Sequence, residues 1–358
     1  MLATLLLSIF ALLQTAQDDV SPPATAAKAP SESRGEVDPE APLQDHEIAR
    51  IDGVSVPVDT FYHYLSLVYA RLPEGNLALE QLLLEAILEQ RAEAFGLEVS
   101  ESEVAAVFAE LDARARAATD GEKGLLDTVG PERTEALQHS VGLAALHRKL
   151  VAHELGLASS DGVDDAMLQA WLDEAMATAA VEEAPMSESV AARWTGGSFS
   201  RAVVGARISK ILSPADLRGL LTELLGIHAI RHRATVMSIE FTPEAAADEL
   251  LERERQVASN PSAQGVTYAN IVEKVFQRTI SELVASPKFS AEVLLRLIVD
   301  GAWDDESLAS LFEAERPLFE EQLGGPVTFV EARFAVIKQV RQRTYQELLA
   351  GSRILRRL

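Results

Sequence analysis

The chain of 358 residues contains no cysteine, which excludes disulfides, thiolate nucleophiles, zinc ribbons and iron–sulfur clusters. Aromatic residues are scarce at 6%, and basic residues are few, 32 against 55 acidic, for a formal net charge of −23. A surface this negative repels nucleic-acid phosphates and anionic lipid heads, so no nucleic-acid partner is expected for the body of the protein. Neither a phosphate-cradling G-x-x-x-x-G-K loop nor a G-x-S-x-G nucleophile elbow occurs, so phosphoryl transfer and serine hydrolysis have no support. Against these absences stand 47% hydrophobic residues, enough to bury cores in about two domains. Ala, Leu and Glu are prominent, which favours helix.

The apolar run LATLLLSIFALL, from Leu2 to Leu13, is too short to cross a hydrocarbon layer of roughly 30 Å. It suits the apolar region of a signal peptide, with cleavage near Ala16 or Gln17, although no basic residue precedes it. Residues 1–17 are therefore expected to export the chain to the periplasm or another extracytoplasmic space of a bacterium. Residues 18–46 are rich in Pro, Ala, Ser and acid without apolar period, and read as a disordered linker.

Internal repetition organises the remainder. EIARIDGVSV, from Glu47 to Val56, matches VAARWTGGSF, from Val190 to Phe199, and pairs Ala49, Arg50 and Gly53 with Ala192, Arg193 and Gly196. Each reads as a strand entering a tight turn whose glycine suits positive φ. Downstream, LLEAILEQRAEAFGLEVSESEV (Leu83 to Val104) lies without a gap over LGIHAIRHRATVMSIEFTPEAA (Leu225 to Ala246). Apolar residues there recur at helical spacing, with a break at Gly96 or Ser238 and a helix cap at Ser100 or Thr242. Ser100 and Glu103 have capping-box spacing, since a hydroxyl and a carboxylate three residues apart satisfy each other's orphan amides. GLAALHRKLV (Gly142 to Val151) then resembles SAEVLLRLIV (Ser290 to Val299), and DDAMLQAWLDEA (Asp164 to Ala175) resembles DDESLASLFEAE (Asp304 to Glu315).

After the second repeat, PVTFVEARFAVIKQV (Pro326 to Val340) alternates and carries β-branched residues, which predicts a strand or hairpin. A helix closes the chain; Glu331 to Leu358 holds seven basic and two acidic residues. It either docks on the acidic body or offers contact to a partner or a membrane surface. The expected fold is thus mainly α. Two tandem helical domains, 47–180 and 190–325, each open on a short strand or hairpin, and 326–358 adds a short β segment with a basic helix.

Few residues suggest chemistry. His228 and His232 stand one helical turn apart, but Ala86 and Gln90 hold the matching places in the first repeat, so a structural role is expected and neither a metal site nor a cofactor. Glu101, Glu103, Asp164 and Asp165 fall in first helical turns, where carboxylates favour the positive helix end. Among the aromatics, Phe61, Tyr64 and Leu65 share one helical face and read as core. Tyr62 and Tyr69 lie on a neighbouring face and are candidates for contact with polypeptide clients.

In its element order, and most of all in LLEAILEQRAEAFGLEVSESEV and DDAMLQAWLDEA, the repeat resembles the SurA-like N-terminal chaperone domain of SurA-, PpiD- and PrsA-type proteins. The resemblance is closer across Glu47 to Ala175 than across Val190 to Glu315. It implies an extracytoplasmic chaperone that binds unfolded or nascent exported polypeptides without catalysis. In that family a parvulin domain often follows. Here Ser209 stands where the parvulin's early histidine would, Gly324-Gly325 leads into Pro-Val, and Arg333 to Val340 lacks the late histidine. The resemblance therefore implies two chaperone lobes without the isomerase. A diverged peptidyl-prolyl isomerase and an assembly adaptor with one dedicated partner are the alternatives.

Overall fold

The computed structural model describes residues 42–118, 123–129, 134–259 and 265–358. The expected signal peptide and most of the expected linker lie outside these residues. Six strands and fourteen helices follow one another among them, in two series that open alike on a hairpin and long helices, so the fold is mainly α as expected.

The first series is β1 (Glu47–Ile51), β2 (Val54–Pro57), α1 (Val58–Tyr69), α2 (Pro73–Phe95), α3 (Glu101–Ala118), α4 (Leu125–Val129), α5 (Thr134–Glu154) and α6 (Asp165–Ala179). A two-residue strand β3 (Glu182–Glu183) then precedes the second series, β4 (Val190–Trp194), β5 (Gly197–Ser200), α7 (Arg201–Ser209), α8 (Pro214–Val236) and α9 (Pro243–Ser259). It continues through α10 (Tyr268–Phe276), α11 (Ile280–Val284), α12 (Pro287–Ala302) and α13 (Asp305–Leu323), and the chain ends in α14 (Phe329–Gly351) and β6 (Ile354–Arg356).

Local chemistry sets the same boundaries in both series. Helices α2 and α8 each run for 23 residues and end in a left-handed residue, Gly96 at φ 65° and Ser238 at φ 57°. In each, the next amide donates back five residues, Leu97 to Ala92 and Ile239 to Ala234, both at 2.8 Å. The hydroxyls of Ser100 and Thr242 then accept from the amides of Glu103 and Ala245, and the Glu103 carboxylate accepts in return from the Ser100 amide at 2.7 Å. Asp164 and Asp304 cap α6 and α13 through bonds of 2.8 Å from the amides of Met167 and Ser307.

Two expectations are corrected. Residues 326–340 hold no strand; from Phe329 they are the start of α14, with Thr328 as its cap. Thr328 and Glu331 form a reciprocal capping box there, and Ala332, Val336 and Val340 recur every fourth residue on one buried face. The C-terminal strand is β6, inside the stretch expected as helix. At the second hairpin, the positive φ belongs to Gly197 (155°) and not to Gly196. Gly196 is needed for space, since a Cβ there would come within 2.2 Å of the Trp194 ring and 2.5 Å of Gln90.

The chain forms two compact units, and their membership crosses the repeats: Tyr62–Leu217 forms one, and residues 42–61 with Arg218–Arg357 form the other. In the first, α2, α5 and α6 bury Leu83, Ile87, Leu88, Leu150, Val151 and Trp171, and Trp194 and Phe199 of the β3-β4-β5 sheet pack onto this core. In the second, α13 and α14 enclose Phe312, Phe319, Val336 and Val340. Pro317 breaks the regularity of α13 at Glu315, and Phe312 and Phe319, on either side of the kink, are both fully buried. The sheet of this unit has the order β2-β1-β6.

The hairpins obey one pattern. Asp52 N–H donates to Arg353 and Arg357 N–H donates to Ile48, each at 2.9 Å; Thr195 N–H donates to Ala179 and Ala184 N–H to Ala191, at 3.0 and 2.9 Å. Asp52 and Ile48 align with Thr195 and Ala191 in the same register that pairs Gly53 with Gly196. The third strand of each sheet is therefore supplied by the chain that follows the other repeat.

Close helix approach gives a direct test. A Cβ at Gly205 in α7 would lie 1.8 Å from the backbone oxygen of Tyr62, whereas one at Gly219 in α8 meets nothing within 4 Å. We expect Gly205→Ala to cost at least about 2 kcal/mol in urea unfolding, and Gly219→Ala to gain about 0.5–1 kcal/mol. Equal effects would contradict this packing.

Candidate functional site

Tyr62 and Tyr69 are both half-buried. Tyr62 sits where α1 meets Gly205 of α7. At the other end of α1, a Cβ on Gly75 would fall 1.9 Å from the Tyr69 carbonyl oxygen. Burial, with the charges of Asp216 and Glu74, pushes the Tyr69 phenol above its ordinary value. Both tyrosines thus belong to helix junctions as well as to the surface. Phe61, Tyr64 and Leu65 are buried, as their shared face implies. His228 is half-buried and His232 exposed; burial holds the His228 imidazole below its ordinary value. Among the described residues no three His, Asp or Glu side chains are grouped to hold a metal ion.

The polar clusters tie helices together. Arg207 of α7 grips Glu85 of α2 with two bonds of 2.7 and 2.6 Å, and His139 of α5 stands 3.7 Å from the same carboxylate. Burial pushes the Glu85 carboxyl up, but the bonds and charges of His139 and Arg207 prevail and bring it to about 2. Arg148 of α5 pairs with Glu110 of α3. Its counterpart in the second repeat, Arg296 of α12, reaches Glu249 of α9 at 3.5 Å. Glu249 is only 3% exposed, and Arg253 at 3.0 Å and Arg341 of α14 at 3.7 Å also surround it. A buried carboxylate needs this compensation. Arg343 and Gln339 of α14 bind Glu315, and Arg333 binds Asp305, so the basic C-terminal helix does dock on acidic residues of its own unit.

Among the described residues several buried side-chain atoms make no hydrogen bond, and His147 is the one that lies against an aromatic ring without an ion pair. His147 is 4% exposed, its ring centre lies 4.9 Å from that of Trp171, and Nε2 makes no hydrogen bond. Burial, then the nearby Arg148 charge, lowers its imidazole to about 4. In the second repeat the same position is Leu295, which is buried.

Among the described residues several large apolar side chains are also exposed. On α14, Val330 and Phe334 stand one turn apart, 81% and 43% exposed, on a face other than the one that Ala332, Val336 and Val340 bury. Val275 and Phe276 protrude at the end of α10, 66% and 51% exposed. In the first unit, Phe95 rests against His153 near exposed Leu155. Helical periodicity did not single these out, because buried and surface apolar stripes have the same spacing. On α14 the signal was present: apolar residues lie on two faces, more than one core requires.

No described helix is long and apolar enough to cross a membrane. No protein-family model, curated protein or solved structure matches the chain.

His147→Leu should stabilise the fold by about 1 kcal/mol, because it removes an unsatisfied buried polar atom. The native imidazole titrates below its unfolded value, so the unfolded chain takes up the extra proton and stability falls as pH drops from about 6.5 towards 4. The variant should lose that part of the pH dependence in thermal melts. Unchanged acid sensitivity between those values would show that His147 does not carry it.

Proposed function

We propose that the protein is an extracytoplasmic chaperone that holds unfolded or partly folded exported polypeptides on exposed apolar helix faces, without catalysis. The observation that carries this reading is the Val330 and Phe334 pair on α14, apolar and solvent-facing on a helix whose core face is already filled. Arg333, Arg341 and Arg343 of the same helix are already paired with Asp305, Glu249 and Glu315, which favours apolar contact over a charged one there. The net charge of −23 would keep a loaded complex soluble.

Magnitude limits how such a surface works. Covering a valine and a phenylalanine yields about 1.5–3 kcal/mol each, short of the roughly 8 kcal/mol of a micromolar complex. A client would have to touch more than one patch at once, and Val275 with Phe276 is a further one in the same unit. Binding of this kind is broad and weakly selective.

Suppression of the aggregation of an unfolded model protein tests the proposal. The intact chain should suppress aggregation near stoichiometric amounts, and Val330→Asp with Phe334→Asp should weaken it by about threefold or more while leaving the melting temperature within a few degrees. No suppression at molar excess would refute the holdase reading. Acceleration of proline-limited refolding at catalytic amounts would instead favour an isomerase.

A further inference from the structure

We propose that the side of β1 away from β2 is a strand-acceptor site, filled within the chain by residues 354–357, which takes the same chemistry from a separate molecule: a short extended segment with an apolar pair followed by two arginines. This goes beyond the chaperone reading and does not depend on it.

The site is built from backbone and a few directed side chains. Ile51, Arg50 and Ala49 of β1 pair antiparallel with Ile354, Leu355 and Arg356. Bonds at both ends lock the register: Asp52 donates its amide to the Arg353 carbonyl and accepts the Arg353 amide on Oδ1 at 2.8 Å, while Arg357 donates its amide to Ile48. Beyond the ladder, the Arg357 guanidinium donates to the carbonyls of Gln44 and Asp45 at 2.7 and 3.0 Å, and Arg356 donates to Thr222 Oγ1 at 3.0 Å. Acceptors thus await a cation at both positions.

The second sheet shows what sets selectivity. There the equivalent strand is β3, and Glu183 stands opposite Ala192 as Arg356 stands opposite Ala49. Two slots that share backbone geometry thus take residues of opposite charge. Glu183 lies 3.9 Å from Arg71, the reverse of the hydroxyl and carbonyl acceptors around Arg356 and Arg357. Backbone pairing alone would accept either strand, so charge is what distinguishes them.

The resident strand is also short and exposed. Leu355 is 37% exposed and β6 has three residues, so its hold owes much to the local concentration that its tether to α14 provides. A free peptide cannot compete with that tether. Once the tether is cut, it can.

The test uses a chain ending at Ser352 and a fluorescent peptide of residues 352–358. The expected result is saturable one-to-one binding to the truncated chain, with affinity reduced at least about tenfold for the intact chain. A peptide in which Arg356 and Arg357 are replaced by Glu should also bind at least about tenfold more weakly. If truncation abolishes the cooperative melting transition, the arginine peptide should restore it and the glutamate peptide should not. A truncated, folded chain that binds neither peptide, or both equally, overturns the proposal, as does failure of the arginine peptide to rescue an unfolded one.

Discussion

Sheet closure is the constraint on which the rest of the structure depends. Each hairpin leaves one edge of its first strand unpaired, and unpaired buried backbone groups cost as much as lost hydrogen bonds. Ala49 and Ala192 are both fully buried, so neither edge is simply left to water. The chain satisfies the first with β6 and the second with β3, through matching amides and carbonyls at Asp52 and Ile48 or Thr195 and Ala191. A repeat taken by itself has a hairpin without its third strand. The compact units accordingly cut across the sequence repeats instead of coinciding with them.

Helical packing then uses repeated positions with diverged side chains. Arg148 and Arg296 hold the same place, and each ties its helix to a glutamate of the third long helix of its series, yet the glutamates are at different heights, Glu110 in one and Glu249 in the other. His147 and Leu295 are likewise equivalent, and the second repeat fills with a hydrocarbon what the first fills with an unsatisfied imidazole. Such pairs separate what the fold demands from what one copy tolerates. The capping aspartates Asp164 and Asp304 belong to the first kind, because any helix at that point must satisfy its leading amides.

Much of this was legible in the sequence. The duplication, the two hairpins, the breaks at Gly96 and Ser238 and the caps at Ser100, Thr242, Asp164 and Asp304 all follow from short-range rules of spacing and hydrogen bonding. The failure at 326–340 is also short-range: β-branched residues suggested strand, but the capping box of Thr328 and Glu331 and the period of Ala332, Val336 and Val340 prevailed. What the sequence could not carry is which strand completes which sheet, since that depends on residues 301 positions apart at Asp52 and Arg353. For the same reason helical face alone marks Tyr62 and Tyr69 in the sequence, whereas the approach of their backbone to Gly205 and Gly75 places both at helix junctions. Surface apolar residues such as Val330 and Phe334 emerged only once the buried face of α14 was known.

Amide hydrogen exchange on the intact chain tests this closure most directly. If β6 completes the first sheet as β3 completes the second, the amides of Asp52, Leu355 and Arg357 should exchange slowly and together, with protection comparable to that of Thr195 and Ala184. Exchange of Asp52 and Arg357 at the rate of a frayed terminus, with Thr195 and Ala184 still protected, would contradict the account.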